Sequence, residues 1–296
     1  MTTALHYFSA NETEALRLGA ALGFACTAVA VHRFPDGESL VRVGRSDPAA
    51  LLYCSLNSPN AKLVEVLLAA SALRNMGARH VVLVAPYLGY MRQDRAFEEG
   101  QAVSQRVIGE LIASALDGLV TVDPHLHRTP RLADVVPGIV AVNVPAAATI
   151  AGALAAFVSP GTLLVGPDEE SRQWIEAVAA PLGLEAMTGR KVRHGDRKVE
   201  IELPDINRVS GRSVVLVDDL VSSGATLIDC ARQLRNAGAV STAAAATHCL
   251  ASEADLATLA AEGIGPLLAT DTVPSPISSI SMAGALAAAI RLHGLG

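Results

Sequence analysis

The chain is 296 residues long, and at roughly 150 residues per domain two domains are the first expectation. Apolar residues make up 51% and charged residues 18%, which excludes a disordered chain, because such chains lack the apolar area that offsets ordering entropy. Lysine and arginine number 23 against 29 acids, a formal charge of −6, so no overall basic field grips nucleic acid and any phosphate-binding surface must be local. The four cysteines, Cys26, Cys54, Cys230 and Cys249, form no C-x-x-C pair, which argues against a disulfide framework or a thiolate zinc site and fits a reducing cytosol. Residues 1–11 contain no basic segment leading an apolar one, so a cytoplasmic protein is expected rather than a secreted one.

In chain order, Phe34-Pro35-Asp36-Gly37-Glu38 is first a turn, since proline presets φ and glycine accepts the tight backbone. Residues 51–56 read as a buried strand, 61–76 as a helix ending at Gly77, and 81–85 as the next strand. Directly after it comes Pro86-Tyr87-Leu88-Gly89-Tyr90-Met91-Arg92-Gln93-Asp94-Arg95. Taken alone this is a solvated surface loop, although a guanidinium such as that of Arg92 suits a polyphosphate because its fork bonds two oxygens at once. The strand 119–122 runs into Asp123-Pro124-His125-Leu126-His127, a spacing open to a capped strand end or to the ligand pair of a metal-dependent hydrolase. The hydrolase would need further His and Asp at strand ends, and no convincing set is present. After a strand at 139–144, residues 144–158 fall short of the ~20 apolar residues of a membrane span and read as a buried alanine-rich helix.

The second half repeats the alternation, with strands expected at 163–165, 214–217, 243–247 and 267–269 and a last helix at 282–293. Gly166-Pro167-Asp168-Glu169-Glu170-Ser171-Arg172 reads as an acid-rich helix start, which the helix dipole favours on its own. The one dense basic run, Gly189 to Lys198, carries Lys191 and Arg193 and leads into strand-like alternation over 199–203. The strongest signal is the buried strand that delivers Asp218 and Asp219, followed by Ser222-Ser223-Gly224-Ala225-Thr226 and a helix from about residue 226. Free amides, the positive end of the helix dipole and three hydroxyls make that loop a phosphate site. Adjacent carboxylates would repel a phosphate at the same spot, so they are expected to accept hydrogen bonds from sugar hydroxyls a few ångströms away. A sugar phosphate satisfies both ends. Neither G-x-x-x-x-G-K-[ST] nor G-x-G-x-x-G occurs, so the P-loop and dinucleotide fingerprints are absent.

Leu73-Arg74-Asn75-Met76-Gly77-Ala78 recurs 161 positions later as Leu234-Arg235-Asn236-Ala237-Gly238-Ala239, each time between a helix and a strand. The same offset sets Asn57-Ser58 against Asp218-Asp219, so one architectural unit is expected twice, with paired acids only in the second copy. The expected fold is α/β, with two similar domains of mainly parallel sheet flanked by helices and related by internal duplication. They are expected over residues 1–145 and 146–296, with the last helix able to pack on either.

The diacid segment resembles the phosphoribosyl pyrophosphate binding motif of the type I phosphoribosyltransferase fold. The segments at 34–38, 86–95, 122–127, 165–172 and 189–198, with Asp271-Thr272-Val273-Pro274, narrow the resemblance to the ribose-phosphate diphosphokinases, the phosphoribosyl pyrophosphate synthetases. That resemblance implies diphosphoryl transfer from ATP to ribose 5-phosphate with magnesium as cofactor, in a homodimer or higher homo-oligomer, without nucleic acid or membrane partners. It further implies Lys191 and Arg193 as catalytic residues of a flexible loop, and ATP contacts from Phe34, Asp36, Gly37, Glu38, Arg92, Gln93 and His125. The first four of these would serve a neighbouring subunit. The sugar phosphate would be met by Arg193, Asp218, Asp219, Ser222, Ser223, Gly224, Ala225 and Thr226, and the metal by His125 and Asp168. Departures from the family pattern are Ser222 and Ser223 in place of Asp and Thr, Ala225 in place of a second glycine, and Glu169-Glu170 in a glycine-rich turn. They keep open a non-catalytic regulatory homologue, and the shared diacid loop keeps open a phosphoribosyltransferase.

Overall fold

Near-continuous apolar runs become strands of parallel sheet whose two faces are covered by helices, as the composition of such strands requires. The computed structural model describes residues 3–126, 128–194 and 198–296, and the chain divides into two units. Unit 1 comprises Met1–Pro145 together with Met282–Gly296, and unit 2 comprises Ala146–Ser281.

Unit 1 runs β1 (Thr3–Phe8), α1 (Glu12–Leu22), β2 (Ala25–Arg33), β3 (Ser39–Arg42), β4 (Ala49–Tyr53), α2 (Pro59–Asn75), β5 (His80–Val84), α3 (Ser104–Ala115), β6 (Gly118–Val122), α4 (Leu132–Val135) and β7 (Val140–Val144). Its sheet has the order β3-β2-β1-β4-β5-β6-β7, parallel except for the β2–β3 hairpin at the edge. Leu52, Leu56, Val66, Leu73, Leu83, Ile112 and Leu119 fill the core on one of its faces.

Unit 2 runs α5 (Ala147–Leu154), β8 (Leu163–Gly166), α6 (Arg172–Ala179), β9 (Glu185–Thr188), β10 (Arg190–His194), β11 (Lys198–Glu202), β12 (Ser213–Val221), α7 (Ala225–Asn236), β13 (Ser241–Cys249), α8 (Glu253–Ala261), β14 (Ile264–Thr270) and β15 (Ser278–Ile280). Its parallel sheet has the order β15-β14-β13-β12-β8-β9, and β10 and β11 form a separate antiparallel hairpin. Taken from the other edge, β9-β8-β12-β13-β14-β15 repeats the connectivity of β2-β1-β4-β5-β6-β7. Val165, Val209, Leu216, Leu227, Cys230, Leu234 and Leu259 form its principal core cluster.

Two expectations are corrected, and one left open is resolved. Residues 144–158 are not one helix: Val144 ends β7, α5 covers only Ala147–Leu154, and Phe157 beyond it is exposed. The last helix, which the sequence leaves able to pack on either half, groups with unit 1: α9 (Ala283–Leu292) packs against α1, and Arg291 Nη2 donates to Ala21 O at 2.6 Å. The duplication offset also shifts within the repeat. Equivalent ladder positions Ala49 and Ser213 stand 164 apart whereas the helix ends stand 161 apart, so Cys54-Ser55, not Asn57-Ser58, occupies the place of Asp218-Asp219. The second copy is three residues shorter between strand and helix end, which a sequence offset taken from the helix alone cannot reveal.

Among the described residues no helix is long and apolar enough to cross a membrane. Leu286 of α9 is fully enclosed, so Leu286→Ala is expected to lower the stability of unit 1 by about 2–5 kcal/mol through lost burial and the cavity left behind. Urea unfolding followed by circular dichroism checks this, and a loss below about 1 kcal/mol would contradict the packing of α9 into that core.

Candidate active site

Parallel strands deliver all their carboxyl ends to one edge of a sheet, where ligands of open α/β folds bind. In unit 2 that edge is supplied by β8, β12, β13 and β14. The sequence expects Asp218 and Asp219 just past a strand; they lie inside β12, which continues to Val221 because Leu220 and Val221 still pair with His248 and Cys249 of β13. The ladder therefore holds the backbone of the acids in a fixed extended form. Asp218 Oδ1 accepts from the Asp219 N–H at 3.0 Å. Burial first, then the Asp219 carboxylate beside it, push the Asp218 carboxyl well above the usual carboxylate range, and Asp168 adds charge of the same sign.

Asp168 reaches this neighbourhood because β8 pairs directly with β12, Val165 opposite Leu216. Its carboxylate caps the short turn beyond it, accepting from the Ser171 N–H at 3.1 Å, while Ser171 Oγ donates back to Asp168 O at 2.6 Å. Glu169, the first of the two extra acids, is exposed, so its charge is solvated; the side chain of Glu170 lies outside the described residues.

Beyond β12, Ser222 and Ser223 are exposed, and Gly224 turns the chain at φ +76° into α7. Among the described residues no side chain caps that first turn, so the amides of Ala225, Thr226 and Leu227 point out of the helix end. Gly224 is required twice over: its φ lies in the left-handed region, and a Cβ there would come within 2.8 Å of the Leu259 side chain. Ala225 is the first helical residue, exposed and with negative φ, so the methyl that departs from the family pattern strains nothing in the backbone.

The basic run forms the β10–β11 hairpin, with Lys191 paired to Ile201 and Arg193 to Val199; for these two cations the description is of the backbone alone. Gly195, Asp196 and Arg197 of the same run lie outside the described residues, as does His127. The base of the hairpin is tied to the Asp168 turn, since the Gly189 N–H donates to Gly166 O at 2.8 Å and a Cβ on Gly189 would meet Pro167 O at 2.7 Å. Ile201 is buried in the unit 2 core, and Gln233 Nε2 of α7 donates to its carbonyl at 2.8 Å. Thr272, in the Asp-Thr-Val-Pro segment, donates to Thr247 O at 2.9 Å and bonds His248 Nδ1 at 2.8 Å, which ties the ends of β13 and β14 together.

In unit 1 the place of the acids is held by Cys54, whose thiol burial pushes up to about 12, and by Ser55. Lys62 fills the adjoining loop, donating to Ser55 O at 2.7 Å and Asn57 Oδ1 at 2.6 Å, so in this copy a lysine of the chain itself occupies the loop. The predicted segment 86–95 crosses the same sheet edge: the Leu56 N–H donates to Tyr87 O at 2.8 Å and the Val122 N–H to Pro86 O at 3.1 Å. Arg92 is exposed, Gln93 is half-buried, and His125 is half-buried in the loop after β6. Phe34, Asp36, Gly37 and Glu38 form the turn of the projecting β2–β3 hairpin, with Gly37 N donating to Phe34 O at 2.9 Å and Glu38 N to Asp36 Oδ1 at 3.1 Å.

Sequence reasoning missed the groups that hold these segments. Glu65, buried in α2, accepts from Arg33 Nε at 3.0 Å, Arg33 Nη2 at 2.9 Å and Ser39 Oγ at 3.0 Å, which pins the hairpin to the helix. An acid on the apolar face of the predicted helix is the signal that could have found it. Asp94 is bound by Arg128 at 2.8 Å; burial acts to raise its carboxyl, but the guanidinium outweighs this and leaves it below the usual range. Gln105, equally unforeseen, bonds Met91 and Thr129.

A family model for the N-terminal domain of ribose phosphate pyrophosphokinase matches residues 4–115, and one for the phosphoribosyl transferase domain matches residues 143–259. The ribose-phosphate pyrophosphokinase of Methanopyrus kandleri is 37% identical over 278 residues, covering 93% of this chain and 94% of its own. This chain belongs to the ribose-phosphate pyrophosphokinase family. The Thermococcus kodakarensis pyrophosphokinase is 35% identical over 255 residues, covering 86% of this chain and 89% of its own. A solved phosphoribosylpyrophosphate synthetase from Mycobacterium smegmatis superposes with a TM-score of 0.86 at 26% identity, with both chains fully covered. As a member of the pyrophosphokinase family the chain is an enzyme built of two phosphoribosyltransferase-like domains.

The geometry at β12 and α7 sets two outcomes. Gly224→Ala should destabilise the chain by at least about 1 kcal/mol through strain at positive φ, whereas Ala225→Gly should stay within about 1 kcal/mol, both read by denaturant titration. A carboxyl raised on folding favours the folded state below its ordinary titration range and weakens it as pH climbs through the raised value. Asp218→Asn should therefore stabilise the ligand-free chain at neutral pH, with the gain vanishing toward acid; a gain independent of pH would refute the raised carboxyl.

Proposed function

We propose that this enzyme transfers the β,γ-diphosphoryl group of ATP to the anomeric hydroxyl of ribose 5-phosphate. The products are 5-phospho-α-D-ribose 1-diphosphate and AMP. The observation that carries the reading is the continuity of β12, Gly224 and α7, which sets two carboxylates rigidly ahead of an uncapped helix start. In this assignment the α7 amides, aided by the hydroxyls of Ser222, Ser223 and Thr226 and the backbone of Gly224 and Ala225, grip the 5-phosphate. Asp218 and Asp219 accept hydrogen bonds from the ribose hydroxyls, which orients the anomeric oxygen. Its bond to the β-phosphorus forms as the bond to the α,β-bridging oxygen breaks; the electron pair leaves on AMP and the hydroxyl proton is released.

Charge gathers on the non-bridging and leaving oxygens during transfer, so catalysis rests on positioning and electrostatic stabilisation. Lys191 and Arg193 take that role from the hairpin anchored beside Asp168, and Arg193 also meets the sugar phosphate. Arg92, Gln93 and His125 hold ATP. Phe34, Asp36, Gly37 and Glu38 read the adenine or ribose of ATP bound by a second copy, a role supported by the exposed ring of Phe34 at 41% on a projecting hairpin. The working enzyme is then a homodimer or larger, acting in the cytoplasm, where the thiols of Cys26, Cys54, Cys230 and Cys249 stay free.

Magnesium fits the donors. Asp168 lies close enough to raise Asp218, a hard-oxygen neighbourhood of the kind the ion prefers, and its negative charge favours a cation. Among the described residues no three metal-binding side chains converge, so the protein offers a partial shell that substrate phosphate oxygens would complete. Asp168 and His125 are the metal-linked residues in this reading, and the ion when bound would neutralise diphosphate charge.

AMP release from ATP, measured with and without ribose 5-phosphate, tests the assignment. Stimulation by the sugar phosphate is expected; diphosphate release dependent on a nucleobase would mark a phosphoribosyltransferase, and silence with retained ATP binding a regulator. Lys191→Ala should lower kcat about 10²–10³-fold while the Kd for ATP stays within about threefold, and unchanged turnover would remove Lys191 from the mechanism.

A further inference from the structure

We propose that Gln105 is a positioning residue that locks the Arg92–Gln93 segment to the His125 loop, an inference that rests on the assignment of those segments to ATP. Gln105 lies in the first turn of α3 and is buried, a costly place for an amide unless both of its ends are satisfied. They are. Nε2 donates to Met91 O at 3.2 Å, and Oε1 accepts from Thr129 Oγ1 at 2.8 Å. One side chain thus bridges two loops that leave different strands, β5 and β6.

The same helix start holds the first loop twice more. The Gln105 N–H donates to Gln93 O at 3.2 Å, and Ser104 Oγ donates to Gln93 Oε1 at 3.2 Å. With its amide oxygen engaged, Gln93 presents its nitrogen to a ligand as donor. Arg92, between the two restrained residues Met91 and Gln93, is exposed, so its guanidinium projects from a fixed base. The Asp94–Arg128 pair, with Asp94 buried at its side chain, closes the clasp from the other side. Preorganising both loops in this way removes ordering cost from ATP binding. Glutamine suits the position because one planar group carries a donor and an acceptor at once. Methionine would leave both partners unsatisfied, and glutamate could not donate to the Met91 carbonyl.

The test uses the full chain, with Gln105→Met, Thr129→Val, their double variant, and Arg92→Ala as the check on the ATP assignment. Gln105→Met should raise the KM for ATP about tenfold and leave the KM for ribose 5-phosphate within about twofold. The double variant should be little worse than Gln105→Met alone, since both remove the same bridge. An unchanged ATP KM in Gln105→Met, alongside a raised one in Arg92→Ala, overturns the proposal. Parallel rises in both KM values that track a lowered Tm overturn it as well, since they describe a general loss of structure. Should Gln105→Met not fold, Thr129→Val decides: a severalfold rise confined to ATP supports the clasp, and no rise overturns it. If Arg92→Ala itself leaves the ATP KM unmoved, it is the ATP assignment that fails, and the role of Gln105 falls with it.

Discussion

A parallel sheet sends every strand's carboxyl end to one edge, and this constraint arranges the rest of each unit. In unit 2 it brings the Asp168 turn beside Asp218 without any contact between distant loops having to be built, because β8 and β12 are hydrogen-bonded neighbours. The cost of the arrangement is electrostatic. Two carboxylates enter a buried strand end together and a third stands nearby, so Asp218 holds its proton far more tightly than an exposed acid would. Hydroxyls or cations supplied from outside would relieve that charge, which is why the proposed sugar-phosphate assignment places them there.

The two units show what divergence does to one scaffold. Strand connectivity is the same in both, yet the positions equivalent to Asp218 and Asp219 hold Cys54 and Ser55. In unit 1 the loop is closed by Lys62, which satisfies Ser55 and Asn57 internally, and α2 begins at Pro59, whose ring nitrogen has no N–H to offer an anion. In unit 2 the helix begins at Ala225 after Gly224, with its first amides uncapped. The same topology therefore carries a lysine-filled loop before a proline-led helix in one copy and a diacid before an uncapped helix start in the other, and the difference lies in a handful of side chains.

Where loops carry the candidate residues, polar groups outside those loops hold them. Glu65 pins the hairpin that bears Phe34 to Glu38, and Gly189 and Gln233 anchor the hairpin that bears Lys191 and Arg193. Glu65 and Gln233 each hold a partner on another segment, so removing either side chain leaves that partner's donor or acceptor unmet, while a side chain at Gly189 would collide with Pro167 O.

Much of this was legible in the residues themselves. Apolar runs marked β4, β5, β6, β12 and β13, the Gly77 and Gly238 helix ends marked the repeat, and the order of strand, diacid, hydroxyl loop and helix marked the β12–α7 segment, because each is a local pattern with a local cause. The extent of β12 through Asp218 and Asp219 was not, since two acids read as a strand's end until β13 is there to pair with Leu220 and Val221. Nor was the offset of the repeat, the allegiance of α9 to unit 1, or the work of Glu65 and Gln105. Local sequence determined the strand–helix alternation, the two-domain plan and the motifs that carry the family resemblance; only the folded ladders decided which residues are equivalent, which acids share a charge environment and which buried amide joins two loops, because those depend on partners far apart in sequence.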